Sequence, residues 1–239
     1  MTLPSGADLY PVVEATWSPV RAFRVGPWMI RDGQGGGSRV SAATAVDAVS
    51  RADLAVAEAA MEDLGQQSLF MIRDGDDALD EMLDGQGYAV KDPVALYAVD
   101  VARLTDEPLP PVSAMPAWPP LAIMAEIWRS GGIGPARLAV MERVKCPKTG
   151  LLGRIQDQPA ASAFVACDGK VAMIHALEVV PALRRLGVAR NMMRAAAIWA
   201  QNHGATTLAL AVTRSNVSAN ALYSSLGMTV VGYYHYRIK

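Results

Sequence analysis

Residues 181–190, PALRRLGVAR, have the makings of an anion site. A short loop leaves a run of alternating apolar residues and enters a helix, and Gly187 with the small Ala189 leaves backbone N–H groups uncovered there. The first N–H groups of a helix lack internal acceptors, and the summed peptide dipoles add partial positive charge, so phosphate oxygens are well held at such a start. Arg184 and Arg185 add fixed charge and forked donors of the same complementarity. Alone, the turn is equally compatible with a plain strand-to-helix connection bearing two solvated arginines. Glu178 and His175, on the strand that feeds it, are the nearest groups able to take a proton. Strict alternation sends their side chains to opposite faces, so at most one of them meets a reacting centre; a surface charge and a satisfied core histidine are the structural alternatives.

The elements that must position these residues follow from periodicity. SAFVACDGKVAMIHALEVV reads as two strands around Asp168-Gly169, because DG between alternating apolar residues signals a hairpin. From Gly187 to His203, Ala189, Met192, Met193, Ala196, Trp199 and Ala200 recur at helical steps, and Gly204 stops the run. LALAV at 208–212 is a strand, SNVSANALYSSLG a short helix and TVVGYYHYRI a last strand rich in β-branched and aromatic residues. The order is ββαβαβ.

The same order recurs upstream. PWMIRDGQGGGSRVSAAT gives two strands around a glycine-rich hairpin, Arg51 to Leu64 a helix with Ser50 and Asp53 as a capping box, SLFMIR a strand, DDALDEMLDGQGY a helix and PVALYAVDVARL a strand. Leu69 and Leu208 stand 139 residues apart, and Gly87 and Gly227 stand 140 apart, which suggests a duplicated unit with its halves packed side by side. Six prolines in TDEPLPPVSAMPAWPP deny the backbone helix continuity and sheet hydrogen bonds, so the domains are expected at 1–104 and 121–239 with a linker at 105–120. PLAIMAEIWRS and PARLAVMERVK are helical patterns opening the second half, and Met124, Trp128 and Arg129 are candidates for a pocket wall or for core.

Two motifs in the right order give the second half a specific likeness. Leu177, Val179 and Pro181 precede Arg184, Gly187 and Ala189; after the next strand come Asn216, Ala219, Ala221, Leu222, Tyr223, Leu226, Gly227 and Met228. This pattern resembles the GNAT superfamily of acetyltransferases, over roughly residues 120–239 and most strongly from 172 onward. The resemblance implies an α/β fold of the acyl-CoA N-acyltransferase type: a mixed, mostly antiparallel sheet, flanked by helices, in which two adjacent parallel strands splay apart. It implies acetyl-CoA as co-substrate, with its pantetheine arm in the gap beside Leu177, Val179, Asn216 and Ala219. Arg184, Arg185, Leu186, Gly187, Val188, Ala189 and Arg190 would cradle the pyrophosphate.

The reaction so implied is direct attack of a neutral primary amine on the thioester in a ternary complex, with Tyr223 matching the family's usual general acid. The base is open between Glu178, His175 and a water chain; one branch of the family carries a glutamate on the following strand, where this chain has Ala211. A small-molecule amine is the expected acceptor, with a peptide amine or a non-catalytic acyl-CoA sensor as alternatives. In the first half the same alignment sets Ala48 and Ser50 opposite Gly187 and Ala189, and Met82 or Leu83 opposite Tyr223, so that half reads as a degenerate, catalytically silent unit.

Composition narrows the partners. A net charge of −1 supplies no field for nucleic acid or an anionic membrane, and 51% hydrophobic with 19% charged residues describes a globular chain. MTLPSGADLYPVVEATW lacks a secretory pattern and no run approaches a membrane span, so a cytoplasmic monomer or homodimer is expected. Cys146 and Cys167 read as reduced, and His175, His203 and His235 lack metal-ligand spacing, so no metal is expected.

Overall fold

The computed structural model describes residues 2–239; Met1, which opens the N-terminal stretch discussed above, lies outside them. The first half runs α1 (Gly6–Thr16), β1 (Arg21–Val25), β2 (Trp28–Asp32), α2 (Ser38–Ser41), β3 (Thr44–Ala45), α3 (Arg51–Glu62), β4 (Leu69–Arg73), α4 (Asp77–Asp84) and β5 (Ala89–Asp100). After β6 (Ala114–Ala117), the second runs α5 (Ala122–Ser130), α6 (Pro135–Arg143), β7 (Lys148–Ile155), β8 (Gln158–Asp168), β9 (Val171–Val179), α7 (Val188–Asn202), β10 (Thr207–Thr213), α8 (Val217–Ser225) and β11 (Thr229–Ile238). No helix among the described residues is long and apolar enough to cross a membrane.

The halves are not simply side by side, because each gives its last strand to the other. The main sheet has the order β4-β11-β5-β10-β9-β8-β7-β6, so β11 lies between β4 and β5 while β5 pairs antiparallel with β10. A charged cluster fastens the exchange. Arg237 of β11, only 7% exposed, donates to Asp80 (2.7 Å) and Asp84 (2.6 Å) of α4 and to the Tyr88 carbonyl (2.8 Å). Charge-assisted bonds of this kind tolerate no register slip, and Asp80 holds its carboxyl below the usual range, chiefly through Arg237.

Five other features depart from the sequence reading. Helix α1 has no counterpart in the sequence reading and holds Pro11 in its interior; burial of Leu9, Val12 and Val13, each worth about 1.5–3 kcal/mol, exceeds the roughly 3 kcal/mol that an internal proline costs. An additional hairpin, β1–β2, turns at Gly26-Pro27, and the glycine run after β2 is a packed turn leading into α2. There a Cβ at Gly33 would stand 2.0 Å from the Ser41 hydroxyl and one at Gly36 2.5 Å from Val140, so these glycines serve close approach. β7, which has no counterpart in the sequence reading, forms a hairpin with β8 through Gln156 and Asp157, both at positive φ. Within 105–120, Ala114–Ala117 forms β6; as an edge strand it accommodates Pro116, whose missing N–H costs no ladder bond on its open side.

Candidate active site

β9 and β10 are parallel neighbours for only three positions, Thr207↔Val171, Leu208↔Ala172 and Ala209↔Met173. Beyond these the register ends. β9 continues to Val179 on its ladder with β8, and β10 continues to Thr213 on its ladder with β5. Leu177, Val179, Ala211 and Val212 flank the opening and are half-buried.

A bulge in β9 reshapes this edge. His175 pairs with Phe164 and Glu178 with Ser162, so three steps on β9 meet two on β8, and Ala176 takes a φ of +52°. The Trp128 indole N–H holds the bulge by donating to the Ala176 carbonyl at 2.8 Å. One extra residue resets the alternation, which corrects the expectation above: His175 and Glu178 point to the same face, that of α5, while Leu177 and Val179 pack with the α7 side. Trp128 and Met124, candidates for a pocket wall, are fully buried core, whereas Arg129 is exposed.

Of the two candidate bases, His175 is closed off. Arg39 of α2 can only donate, so its contact at 3.1 Å makes Nδ1 the acceptor; Nε2–H then donates to the Thr16 hydroxyl at 2.9 Å, which donates to the Val12 carbonyl at 2.7 Å. Burial first and the Arg39 charge second push the His175 pKa well below the ordinary histidine range. The ring is neutral and has no free lone pair. Glu178 retains access: its side chain is 21% exposed, its carboxylate takes a bond from Arg184 at 3.0 Å, and it lies against Gly131, where an added Cβ would come within 2.5 Å of it.

After β9, a 3-10 turn over Pro181–Leu183 leads into α7. Gly187 caps that helix at φ +82°, a left-handed conformation that favours glycine, and among the described residues no side chain closes the helix end. Among the described residues, the N–H groups from Leu186 to Arg190 donate to no protein acceptor. Arg184, Arg185 and Arg190 are exposed around them; Arg184 also reaches the Val179 carbonyl (3.2 Å), and Arg190 reaches the Ser225 hydroxyl of α8 (2.9 Å).

On the far side of the gap, Asn216 caps α8, its side chain accepting the Ala219 N–H at 3.1 Å. Tyr223 is buried against Tyr97 with ring centroids 5.7 Å apart, and burial, then the Tyr97 neighbour, pushes its pKa up to about 12. Tyr97 belongs to β5 and so comes from the first half; its hydroxyl donates to Asn220 at 3.1 Å. Neither Tyr97 nor Asn220 was among the expected site residues. Only the strand exchange brings Tyr97 here, and no local pattern announces that exchange.

Residues 138–228 match the family model described as Acetyltransferase (GNAT) family. No curated protein sequence matches the chain. Among solved structures, a GCN5-related N-acetyltransferase from Kribbella flavida shares 17% identity, with 100% of this chain and 96% of that chain covered, at a TM-score of 0.71. A functionally unknown conserved protein from Staphylococcus epidermidis ATCC 12228 shares 11%, with 96% of each chain covered, at 0.73. A tandem GNAT protein from the clavulanic acid biosynthesis pathway shares 12%, with 97% of this chain and 87% of that chain covered, at 0.62. Identities this low bear on the fold, which extends over both exchanged halves. The family match falls on the half that holds the parted strands, the uncapped helix start and Tyr223: residues 138–228 are similar to the acetyltransferase (GNAT) family, and the chain as a whole shares its fold with a GCN5-related N-acetyltransferase.

Proposed function

We propose that the second half transfers an acetyl group from acetyl-CoA to a primary amine of a small molecule, by direct attack within a ternary complex. The observation that carries this reading is the row of unaccepted N–H groups from Leu186 to Arg190, set where β9 and β10 part. The residues fit a phosphate-bearing thioester: the helix start offers aligned donors, Arg184, Arg185 and Arg190 offer charge, and the unpaired stretch of β9 around Leu177 and Val179 offers a strand edge to an extended amide chain. Asn216 and Ala219 border the same opening from α8. When bound, acetyl-CoA supplies an activated acyl group and a thiol leaving group.

The chain's own residues then have the work of orientation and proton movement. Tyr223, with a pKa near 12, keeps its proton throughout the neutral range and is assigned as the acid that meets the departing sulfur. Glu178 is assigned the amine proton, since His175 has no lone pair to give. Tyr97 backs the Tyr223 ring and gives the first half a share in the site. Thiol release measured with acetyl-CoA and parallel panels of small amines and peptides tests the proposal. Turnover with small amines is the expected result. Turnover with peptides alone would replace the acceptor, and tight acetyl-CoA binding without turnover on any amine would replace the enzyme by a sensor.

A further inference from the structure

A cleft of about 1110 Å³ opens between α1, the β1–β2 hairpin, β4 and the end of α6. Met71 and Tyr234, which line it, belong to the α1 side of the sheet, opposite the α7 side. At its edge, residues 145–146 run into Pro147, whose carbonyl accepts the Cys167 N–H near the start of β9, whereas the α7 start follows the end of that strand. The cleft is therefore distinct from the cofactor cradle proposed above.

Its charge is unbalanced. Six cations line it against three carboxylates. Arg31 is paired with Glu14 at 2.7 Å, Arg73 with Asp76 at 3.5 Å, and Arg21 with Asp32 at 3.5 Å. Asp74, the remaining acid, accepts the Tyr233 N–H at 3.1 Å. That leaves Arg39, Arg143 and Lys145, none of which forms an ion pair with a carboxylate among the described residues.

The donors are also unsatisfied. Among the described residues, the Arg39 Nε, one Arg143 Nη and the Tyr234 hydroxyl are buried with no hydrogen-bond partner, and Tyr234 as a whole is 4% exposed; against the effect of burial, the neighbouring Tyr234 and Tyr236 hydroxyls raise the Arg39 pKa. A buried donor without an acceptor is costly, and folded proteins seldom keep several in one place unless something else supplies the acceptor. Burial pulls the Arg143 pKa below the ordinary guanidinium value, and the Asp32 charge opposes that shift.

We propose that this cleft binds a small molecule through a carboxylate or phosphate group held by Arg39, Arg143 and the Tyr234 hydroxyl, with Lys145 at the rim. An anion with several acceptor oxygens suits donors of this kind, and forked guanidinium groups suit either chemistry. Isothermal titration of the full chain, with CoA at saturating concentration to fill the α7 start, tests it using inorganic phosphate in one arm and succinate in the other. One probe is expected to bind saturably at 1:1 and millimolar strength or better, and the arm that does so identifies the anion. Arg143→Gln combined with Lys145→Gln should weaken that binding at least tenfold. Arg39→Met should abolish it; because Arg39 also holds His175, the Arg143 and Lys145 pair carries the test if that variant does not fold. Failure of both probes to bind saturably overturns the proposal, as does binding that the paired substitution leaves unchanged or that CoA competes away.

Discussion

The two halves each send a strand into a helix, and the two helices begin in opposite ways. Among the described residues, α7 opens on Gly187 with no side-chain cap, and its first N–H groups are without acceptors. α3 opens on Ser50, whose N–H and hydroxyl both donate to the Asp53 carboxylate, at 2.8 and 2.6 Å. Those Ser50 bonds hold the Asp53 pKa below the ordinary carboxylate value. An acid is thus fixed at the third helical position, where α7 has Arg190. Both helices carry the same backbone dipole, but one has closed its own end with a carboxylate and the other presents donors ringed by arginine. The anion site proposed for the second half rests as much on the omission of a cap as on the presence of Gly187. The short helices differ in parallel fashion: the seventh residue of α8 is Tyr223, and the seventh of α4 is Leu83, which is fully buried.

The largest expected effect breaks the second of these differences. Tyr223→Phe gives α8 an apolar ring like the apolar side chain at the matching place in α4, and turnover in the thiol-release assay should fall by about 10²–10⁴ while acetyl-CoA affinity is kept. A variant as fast as the parent would remove Tyr223 from the chemistry. Arg190→Asp gives α7 the acid that closes α3. Because Arg190 is exposed and its side-chain hydrogen bond among the described residues goes to the Ser225 hydroxyl, the fold should persist while acetyl-CoA binding, read by calorimetry, weakens by about tenfold or more. Unchanged binding would mean that the α7 start is not where the phosphates are held.

Much of this comparison was legible in the sequence, and the illegible part has physical causes. Periodicity located α3, α7, β4, β10 and β11, because each is one apolar stripe or one alternating run with clear stops. The Ser50 capping box and the Asp168-Gly169 turn are local, so local rules found them. Aligning the halves by their strands set Gly187 opposite Ala48, whereas the helix starts match Gly187 with Ser50; α7, with 15 residues against 12 in α3, has nearly one more turn, which a single fixed spacing cannot absorb. The bulge at Ala176 escaped notice because no glycine marks its positive φ, and the tertiary bond from Trp128 is what holds it. Strand exchange, the position of Tyr97 and the Arg39 contact to His175 are long-range pairings, on which spacing along the chain is silent.

His175 joins the halves, and its titration sharpens the comparison at the next level of size. In the folded protein its pKa lies well below 6.5, so it stays neutral where the unfolded chain's histidine takes up a proton. Unfolding therefore binds a proton at mildly acid pH, and the stability this gives is complete above about pH 6.5 and is lost as pH falls toward the folded pKa, at about 1.4 kcal/mol per unit for one proton. Unfolding midpoints measured downward from pH 7.5 should show that loss, and His175→Gln should flatten it. An equal slope in both proteins would mean that other groups carry the acid sensitivity.

The smallest effect tests whether the two helix starts are independent. Ser50→Ala removes the hydroxyl that ties Asp53 and should cost about 1 kcal/mol of stability in denaturant unfolding, since α3 packs the first half's core through Leu54, Ala57 and Met61. Acetyl-CoA affinity should not move, because that cap serves only its own helix. A loss of affinity alongside the loss of stability would show that the closed end of α3 supports the open end of α7 through the exchanged strands, and the two halves would then have to be treated as one cooperative site.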